Sequence, residues 1–94
     1  MNEQFFIQKM ENDSQISSSK GIATRLSKAR KAEKILEMDY DTIVANDDLM
    51  YNSLMKLKPL ENPRNNPMQN TLRKYYFYKN GKDFPRLTNY NLSR

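Results

Sequence analysis

The spacing of apolar side chains along the chain predicts helices and gives almost no sign of strands. The clearest stripe lies in residues 19–38 and consists of Ile22, Leu26, Ala29 and Leu36. These positions occupy only about 80° of a helical wheel, which is typical of a helix that buries one narrow face. Serines at positions 17 to 19 precede the stripe and can cap the start of this helix.

A second amphipathic helix is predicted from residue 46 to about residue 58. Its apolar stripe consists of Met50, Leu54 and Leu57. Asn46 is a favourable N-cap residue, and Pro59 ends the helix because the residue before a proline avoids helical geometry. Between the two helices, residues 38–44 are predicted to break the helical pattern and then to form a short apolar plug.

A third helix, over residues 67–80, carries the consecutive aromatic side chains Tyr75, Tyr76, Phe77 and Tyr78. Asn66 is expected to cap it, and Pro67 suits the first helical position. Gly81 suits the left-handed position after the last turn. Consecutive helical residues point in different directions, so we expect the first two aromatic rings in the core and the last two nearer the surface.

Residues 1–11 are apolar enough for a short helix or for an arm that docks on a partner. Their apolar side chains are Phe5, Phe6, Ile7 and Met10, and a polar linker follows. Together the elements predict an all-α fold, a small bundle of about four helices. We place the helix or docking arm with its linker at residues 1–16, the helical domain at 17–87 and a polar tail at 88–94.

Positive charge is concentrated in two parts of the chain. The sequence has 16 Lys and Arg against 11 Asp and Glu, for a formal net charge of +5. Residues 20–34 contain six bases and one acid, and residues 73–94 contain the same numbers, whereas the remaining residues hold four bases and nine acids. Such segregation indicates an anionic partner, with nucleic acid first and a membrane surface or an acidic protein second.

The residue types exclude several classes of protein. Because the chain has no Cys and no His, zinc fingers, haem and iron–sulfur proteins, disulfide frameworks and thiol or imidazole catalysis are excluded. No stretch approaches the roughly 18 apolar residues of a membrane span and no secretory signal is visible, so we expect a cytoplasmic protein without a membrane partner. We also expect no enzyme activity, cofactor, metal site or small-molecule substrate, because turns and helix starts account for the acidic residues.

The helix predicted at residues 19–38 presents a wide basic face opposite its apolar stripe. The candidate nucleic-acid-binding residues on it are Lys20, Arg25, Lys28, Arg30, Lys31 and Lys34. Arg73 and Lys74 form a second candidate contact. Such cations suit phosphate oxygens, whereas no set of residues that would read bases can be picked out. An alternative is that the aromatic side chains of residues 75–78 stack on the bases of a single strand.

Three segments resemble the core-binding, SAM-like domain of tyrosine recombinases, the family of the phage integrases. They are the basic helix Ser19–Leu36, the acidic stretch Asp41–Tyr51 and the segment Asn70–Gly81, in which a leucine, a base and an aromatic pair precede a turn with glycine. The resemblance covers residues 17–86 and implies a SAM-like helical bundle that clamps one side of a DNA duplex, mostly through phosphates. It implies that the residues facing DNA are Arg25, Lys28, Arg30 and Lys31, with Arg73 and Lys74 as the second contact. The family's catalytic domain has no counterpart in this sequence.

The sequence leaves two other functions open beside a module that binds duplex DNA. The chain could be a small accessory protein of a phage or mobile element that binds a nucleic-acid enzyme. Its partner-docking residues would then be Phe5, Phe6, Ile7 and Met10. It could also be a homo-oligomeric structural protein paired through the same segment, because a chain this short has a small core.

Overall fold

Five α-helices account for most of the chain in the computed structural model, which describes residues 1–16 and 18–91. The helices are α1 (Glu3–Glu11), α2 (Ser19–Leu36), α3 (Tyr40–Val44), α4 (Asp47–Leu57) and α5 (Pro67–Asn80). Short 3-10 turns occur at Lys58–Leu60 and Leu87–Asn89, and the described residues contain no strand. The prediction of a small all-α bundle is confirmed. Ser17 and residues 92–94 of the predicted tail lie outside the described residues.

Side-chain caps begin the first four helices. The capping residues are Asn2, Ser18, Asp39 and Asn46. In each case a side-chain oxygen accepts a hydrogen bond from a backbone N–H of the first turn, which has no partner within the helix. Asn46 accepts two such bonds, from Asp48 at 2.9 Å and from Leu49 at 3.1 Å.

The start of α5 differs from the sequence prediction. Pro67 is the first helical residue as expected, but the side chain of Asn66 makes no capping hydrogen bond. The carboxylate of Glu61 takes this role instead, because its two oxygens accept from the backbone N–H groups of Met68 at 2.7 Å and Gln69 at 3.0 Å. A carboxylate suits the positive end of a helix. The prediction of Asn66 as the cap was therefore wrong.

The segment predicted as a break and an apolar plug contains the short helix α3. Glu37 ends α2 in the left-handed conformation, with φ of 54°, and the chain turns there. The carboxylate of Glu33 then accepts a hydrogen bond from the backbone N–H of Tyr40 at 2.8 Å. A helix of five residues is too short to show an apolar periodicity, which is why the sequence did not reveal it.

Helix α5 is the centre of the bundle and contacts the other four helices. The buried core residues on it are Met68, Thr71, Leu72, Tyr75 and Tyr76. Phe77 is 43% exposed, and Tyr78 is half-buried. The expected division of the four aromatic residues between core and surface is therefore confirmed.

Helix α1 belongs to the core and is not a free arm. The side chains of Phe6 and Met10 are fully buried, whereas Phe5 and Ile7 are partly buried against the core. Phe6 packs edge-on against two tyrosine rings of α5, at centroid distances of 5.1 and 5.8 Å. The prediction of a docking surface is therefore corrected for Phe6 and Met10, because neither side chain reaches the surface. Residues 1–16 share one hydrophobic core with the helices that follow.

We expect Phe6→Ala to destabilise the fold by about 3 kcal/mol or more, because it opens a cavity between α1 and α5. For a domain of this size, the melting temperature should fall by at least about 12 °C. Thermal unfolding followed by circular dichroism measures this change, with Gln4→Ala at an exposed position of the same helix as the control. If residues 1–11 were a free docking arm, Phe6→Ala would leave the melting temperature unchanged, and that result would contradict the prediction.

One residue at each of two helix ends adopts the left-handed conformation, and substitutions at these two residues should change stability in opposite directions. Gly81 has φ of 73° with no atom within 4 Å of an added Cβ, so Gly81→Ala should cost about 1 kcal/mol through backbone strain alone. Glu37→Gly should relieve the same strain and raise stability by less than about 1 kcal/mol, since glycine also loses more freedom on folding. Urea unfolding of both variants tests this pair. A stabilised Gly81→Ala variant would contradict it.

Candidate nucleic-acid interface

Helix α2 turns its apolar stripe to the core and a row of lysines outward. Its buried residues are Leu26, Ala29, Ala32 and Leu36. On the other side lie Lys20, Lys28, Lys31 and Lys34, which we call the lysine face. Three of these side chains are exposed and Lys28 is half-buried. The single stripe of Leu and Ala thus decides which way the lysines point.

No carboxylate lies within ion-pair distance of the lysine face in the part of the chain that the structure describes. Elsewhere in the described residues, the cations that form ion pairs are the Met1 amine, Arg30, Lys74 and Lys79. The lysine face therefore presents contiguous positive charge that the fold itself does not neutralise. Such a surface attracts anions at long range.

Arg30 was predicted to face DNA, and the structure gives it an internal partner. Its guanidinium donates two hydrogen bonds to the carboxylate of Glu3 on α1, one of them from Nε at 2.9 Å. Hydrogen bonding to Arg30 lowers the pKa of the Glu3 carboxyl below its usual value. Arg30 thus joins α2 to α1. Its charge has a carboxylate partner in Glu3, unlike the charges of the lysine face.

Arg73, part of the second predicted contact, holds the C-terminal segment against α5. Its Nη1 donates to the backbone carbonyls of Phe84 at 3.0 Å and Pro85 at 3.3 Å, and the guanidinium lies 5.8 Å from the centroid of the Phe84 ring. Burial lowers the pKa of Arg73, although not enough to remove its charge. The side chain therefore has a structural role and keeps a positive charge near the surface.

Lys74, the other half of that predicted contact, belongs to a cluster around Asp13. The Asp13 carboxylate accepts hydrogen bonds from Lys74 Nζ at 2.6 Å, from the Tyr78 hydroxyl at 2.6 Å and from the backbone N–H of Gln15 at 2.9 Å. Hydrogen bonds from Lys74 and Tyr78 lower the pKa of Asp13 to about 2. Burial and the bond to Asp13 raise the pKa of Tyr78. The cluster fixes the linker after α1 to the surface of α5.

An open groove of about 1060 Å³ lies between α2, α5 and this linker. We call it the α2–α5 groove. Its cationic lining residues are Lys9, Arg25, Lys28, Arg73 and Lys74, and its acidic ones are Asp13 and Asp83. The structure thus brings together four of the predicted contacts, two from each basic segment, although they are about 45 residues apart in sequence.

Several groove residues were missed by the sequence analysis. They include Gln15, Asn65 and Asn70. On α5 the spacing of Asn70, Arg73, Lys74 and Phe77 at three and four residues marks one helical face. That spacing was visible in the sequence, but only the packing of α2 against α5 shows that this face borders a groove.

Comparison of this chain with models of known protein families, with curated proteins and with solved structures gave no match.

No helix within the described residues has the length and apolar character needed to cross a membrane. The same residues contain no group of three or more side chains arranged to hold a metal ion.

A second charged cluster lies at the start of α1 and was not anticipated from the sequence. The Met1 amine is buried and lies 2.8 Å from Glu33, 3.1 Å from Asp39 and 3.9 Å from Asp41. Burial alone would lower the pKa of this amine, but hydrogen bonds to Glu33 and Asp39 outweigh it and the pKa is raised. These carboxylates hold α1 against α2 and α3, which gives them a structural role.

The Asp13 cluster predicts a specific acid sensitivity. Since the folded pKa of Asp13 is about 2 and its unfolded value is about 3.9, its contribution to stability is complete above about pH 4 and is lost as the pH falls toward 2. We expect Asp13→Asn to lower the melting temperature at pH 7, and the difference from the unsubstituted protein to shrink between pH 4 and pH 2. Thermal melts across this range measure it.

The control for this prediction is Glu11→Gln, at an exposed carboxylate of α1. It should leave the pH profile of the melting temperature unchanged. A difference between Asp13→Asn and the unsubstituted protein that stays constant down to pH 2 would contradict the role of the ionised carboxylate.

Proposed function

We propose that this chain is a non-enzymatic DNA-binding module that contacts duplex DNA mainly through its phosphates. The observation that carries the proposal is the lysine face, four lysines on an 18-residue helix with no carboxylate partner among the described residues. From Lys20 to Lys34 this face extends about 21 Å at 1.5 Å per residue. Duplex DNA carries one negative charge per about 1.7 Å of its axis, so the face can meet several phosphates at once.

The contrast with other cations of the chain supports an anionic partner. Arg30, Lys74 and Lys79 each have a carboxylate of the same chain within 3.4 Å. Arg73, which packs the C-terminal segment through backbone carbonyls, and the exposed Lys56, Lys58 and Lys82 have no such carboxylate within the described residues either. What distinguishes the lysine face is that four unpaired lysines follow one side of a single helix, and nucleic acid is the anion whose charge spacing and length fit a row of lysines.

Lysine is suited to phosphate contact and poorly suited to reading sequence. Its ammonium group is a point charge on a flexible stem and defines the geometry at a base edge less firmly than the planar side chains of Arg or Asn do. The proposed binding is therefore directed at the backbone, with weak preference for sequence.

The resemblance to the core-binding domain of tyrosine recombinases supports the same function. In this proposal the module works as such a domain does, and its cellular setting is a phage or other mobile element. Of the residues that the resemblance placed on DNA, Lys28 and Lys31 belong to the lysine face, and Arg25 lies beside them in the α2–α5 groove. A docking role for the N-terminal segment has less support, because Phe6 and Met10 are buried.

We expect the triple variant Lys28→Gln, Lys31→Gln, Lys34→Gln to lose most of its affinity for duplex DNA while keeping its fold. Fluorescence anisotropy with a labelled duplex of about 30 base pairs, titrated between about 50 and 200 mM salt, gives the affinity and its salt dependence. Each lost phosphate contact should reduce the slope of log affinity against log salt by about 0.9, or about 2.7 for three contacts.

The matched control is the triple variant Lys56→Gln, Lys58→Gln, Lys82→Gln, which removes the same charge from exposed lysines outside α2. It should keep a salt slope close to that of the unsubstituted protein. Equal losses in both triple variants would show that net charge alone governs binding. Unchanged affinity in the first variant would refute the lysine face as the DNA contact.

A further inference from the structure

The α2–α5 groove differs in chemistry from the lysine face beside it. The lysine face is entirely cationic, whereas the groove combines cations with amide side chains and an exposed aromatic ring. That ring is Phe77, which is 43% exposed and is the only aromatic residue among the strongly exposed large hydrophobic residues of the described chain. The groove thus offers a flat apolar surface that the core does not use.

The groove is large enough to receive a nucleotide. Its volume of about 1060 Å³ exceeds the roughly 300–1,000 Å³ of typical small-ligand pockets. On α5, Asn70, Arg73 and Phe77 lie on one face at successive turns, and on α2 Arg25 and Lys28 line the opposite wall. A base that lies against Phe77 therefore has cations in the same groove for the phosphates next to it.

The charge of the groove favours an anionic occupant. Five cationic and two acidic side chains line it, and one of the acids, Asp13, already receives hydrogen bonds from Lys74 and Tyr78. An acidic peptide would satisfy this charge but would bring no flat ring to Phe77. A nucleotide supplies both the anion and the ring, and the stacking of a base on an aromatic side chain tolerates any sequence.

The groove is also continuous with the lysine face. A second depression shares Lys28, Asn65 and Pro67 with the groove and extends along α2 to Lys31. Lys28 and Lys31 belong to the lysine face as well. Glu61 also lines this depression, but its carboxylate is engaged with backbone N–H groups at the start of α5. A strand that leaves a duplex bound on the lysine face can therefore enter the groove alongside Lys28.

We propose that the α2–α5 groove binds unpaired nucleotides of DNA, with a base stacked on Phe77 and the adjoining phosphates held by Arg25 and Lys28. This inference rests on the proposed function for its DNA partner and specifies the DNA structure that is preferred. That structure is a junction between duplex and single strand. Stacking of one base on an aromatic side chain contributes roughly 5- to 150-fold in affinity.

The test compares three labelled DNAs by fluorescence anisotropy at about 50 mM salt. They are a blunt duplex, the same duplex with a short single-stranded tail, and the tailed duplex with abasic sites in the tail. We expect the base-containing tail to raise affinity at least about fivefold over both other DNAs. Phe77→Ala should abolish this preference, and Phe77→Trp should preserve it because the indole also stacks.

The matched control is Met55→Ala on α4, where the side chain is 42% exposed and does not line the groove. It should keep the preference for the tail. Equal affinity for base-containing and abasic tails, or a preference that persists in Phe77→Ala, would overturn the groove proposal and leave duplex binding intact. A tailed duplex bound through Phe77 without any binding of the blunt duplex would support the groove and refute the duplex function. Labelled oligoglutamate serves as a fourth probe, for an acidic peptide. If the protein binds it and none of the DNAs, both the groove proposal and the proposed DNA-binding function are overturned.

Discussion

The burial of Tyr75 in the middle of α5 is the constraint on which the rest of the bundle depends. Its ring packs against Phe6 of α1 and Tyr40 of α3, at centroid distances of 5.1 and 5.6 Å. Its hydroxyl accepts a hydrogen bond from the backbone of Asn2 and donates one to Asp41. A buried hydroxyl without partners would be costly, so this one side chain fixes α1 and α3 relative to α5. Burial and the bond to Asp41 both raise the pKa of the phenol, which therefore stays protonated as a donor.

The orientation of α5 follows from this burial, and the groove follows from the orientation. With Tyr75 and Tyr76 turned into the core, the face that bears Asn70, Arg73 and Phe77 turns outward toward α2. Asp13 then fixes the linker after α1 to the same helix, which closes one side of the groove. The α2–α5 groove thus exists because the packing of Tyr75 and Tyr76 in the core sets the orientation of α5.

The acidic residues and the lysine face have different roles in this fold. Acidic side chains hold the elements together, as Glu61 does at the start of α5, Asp13 at the linker and Glu33 at the start of α3. The side chains of the lysine face form no ion pair with the described residues. The chain also has 16 Lys and Arg against 11 Asp and Glu. A positive surface therefore remains after folding, and the proposed function uses this charge.

The sequence by itself determined the main helices and the side of α2 that faces solvent. The helix over residues 67–80 and its terminal glycine, the cap at Asn46 and the division of the aromatic residues were all visible, because they depend on local propensity and on the period of 3.6 residues. Tertiary structure alone decided the rest. It decided the burial of Phe6 and Met10, the pairing of Arg30 with Glu3 and the capping of α5 by Glu61. Each of these depends on contacts between different parts of the fold. Periodicity shows which face of a helix is apolar, but only packing decides which neighbour covers it and which cations find a carboxylate.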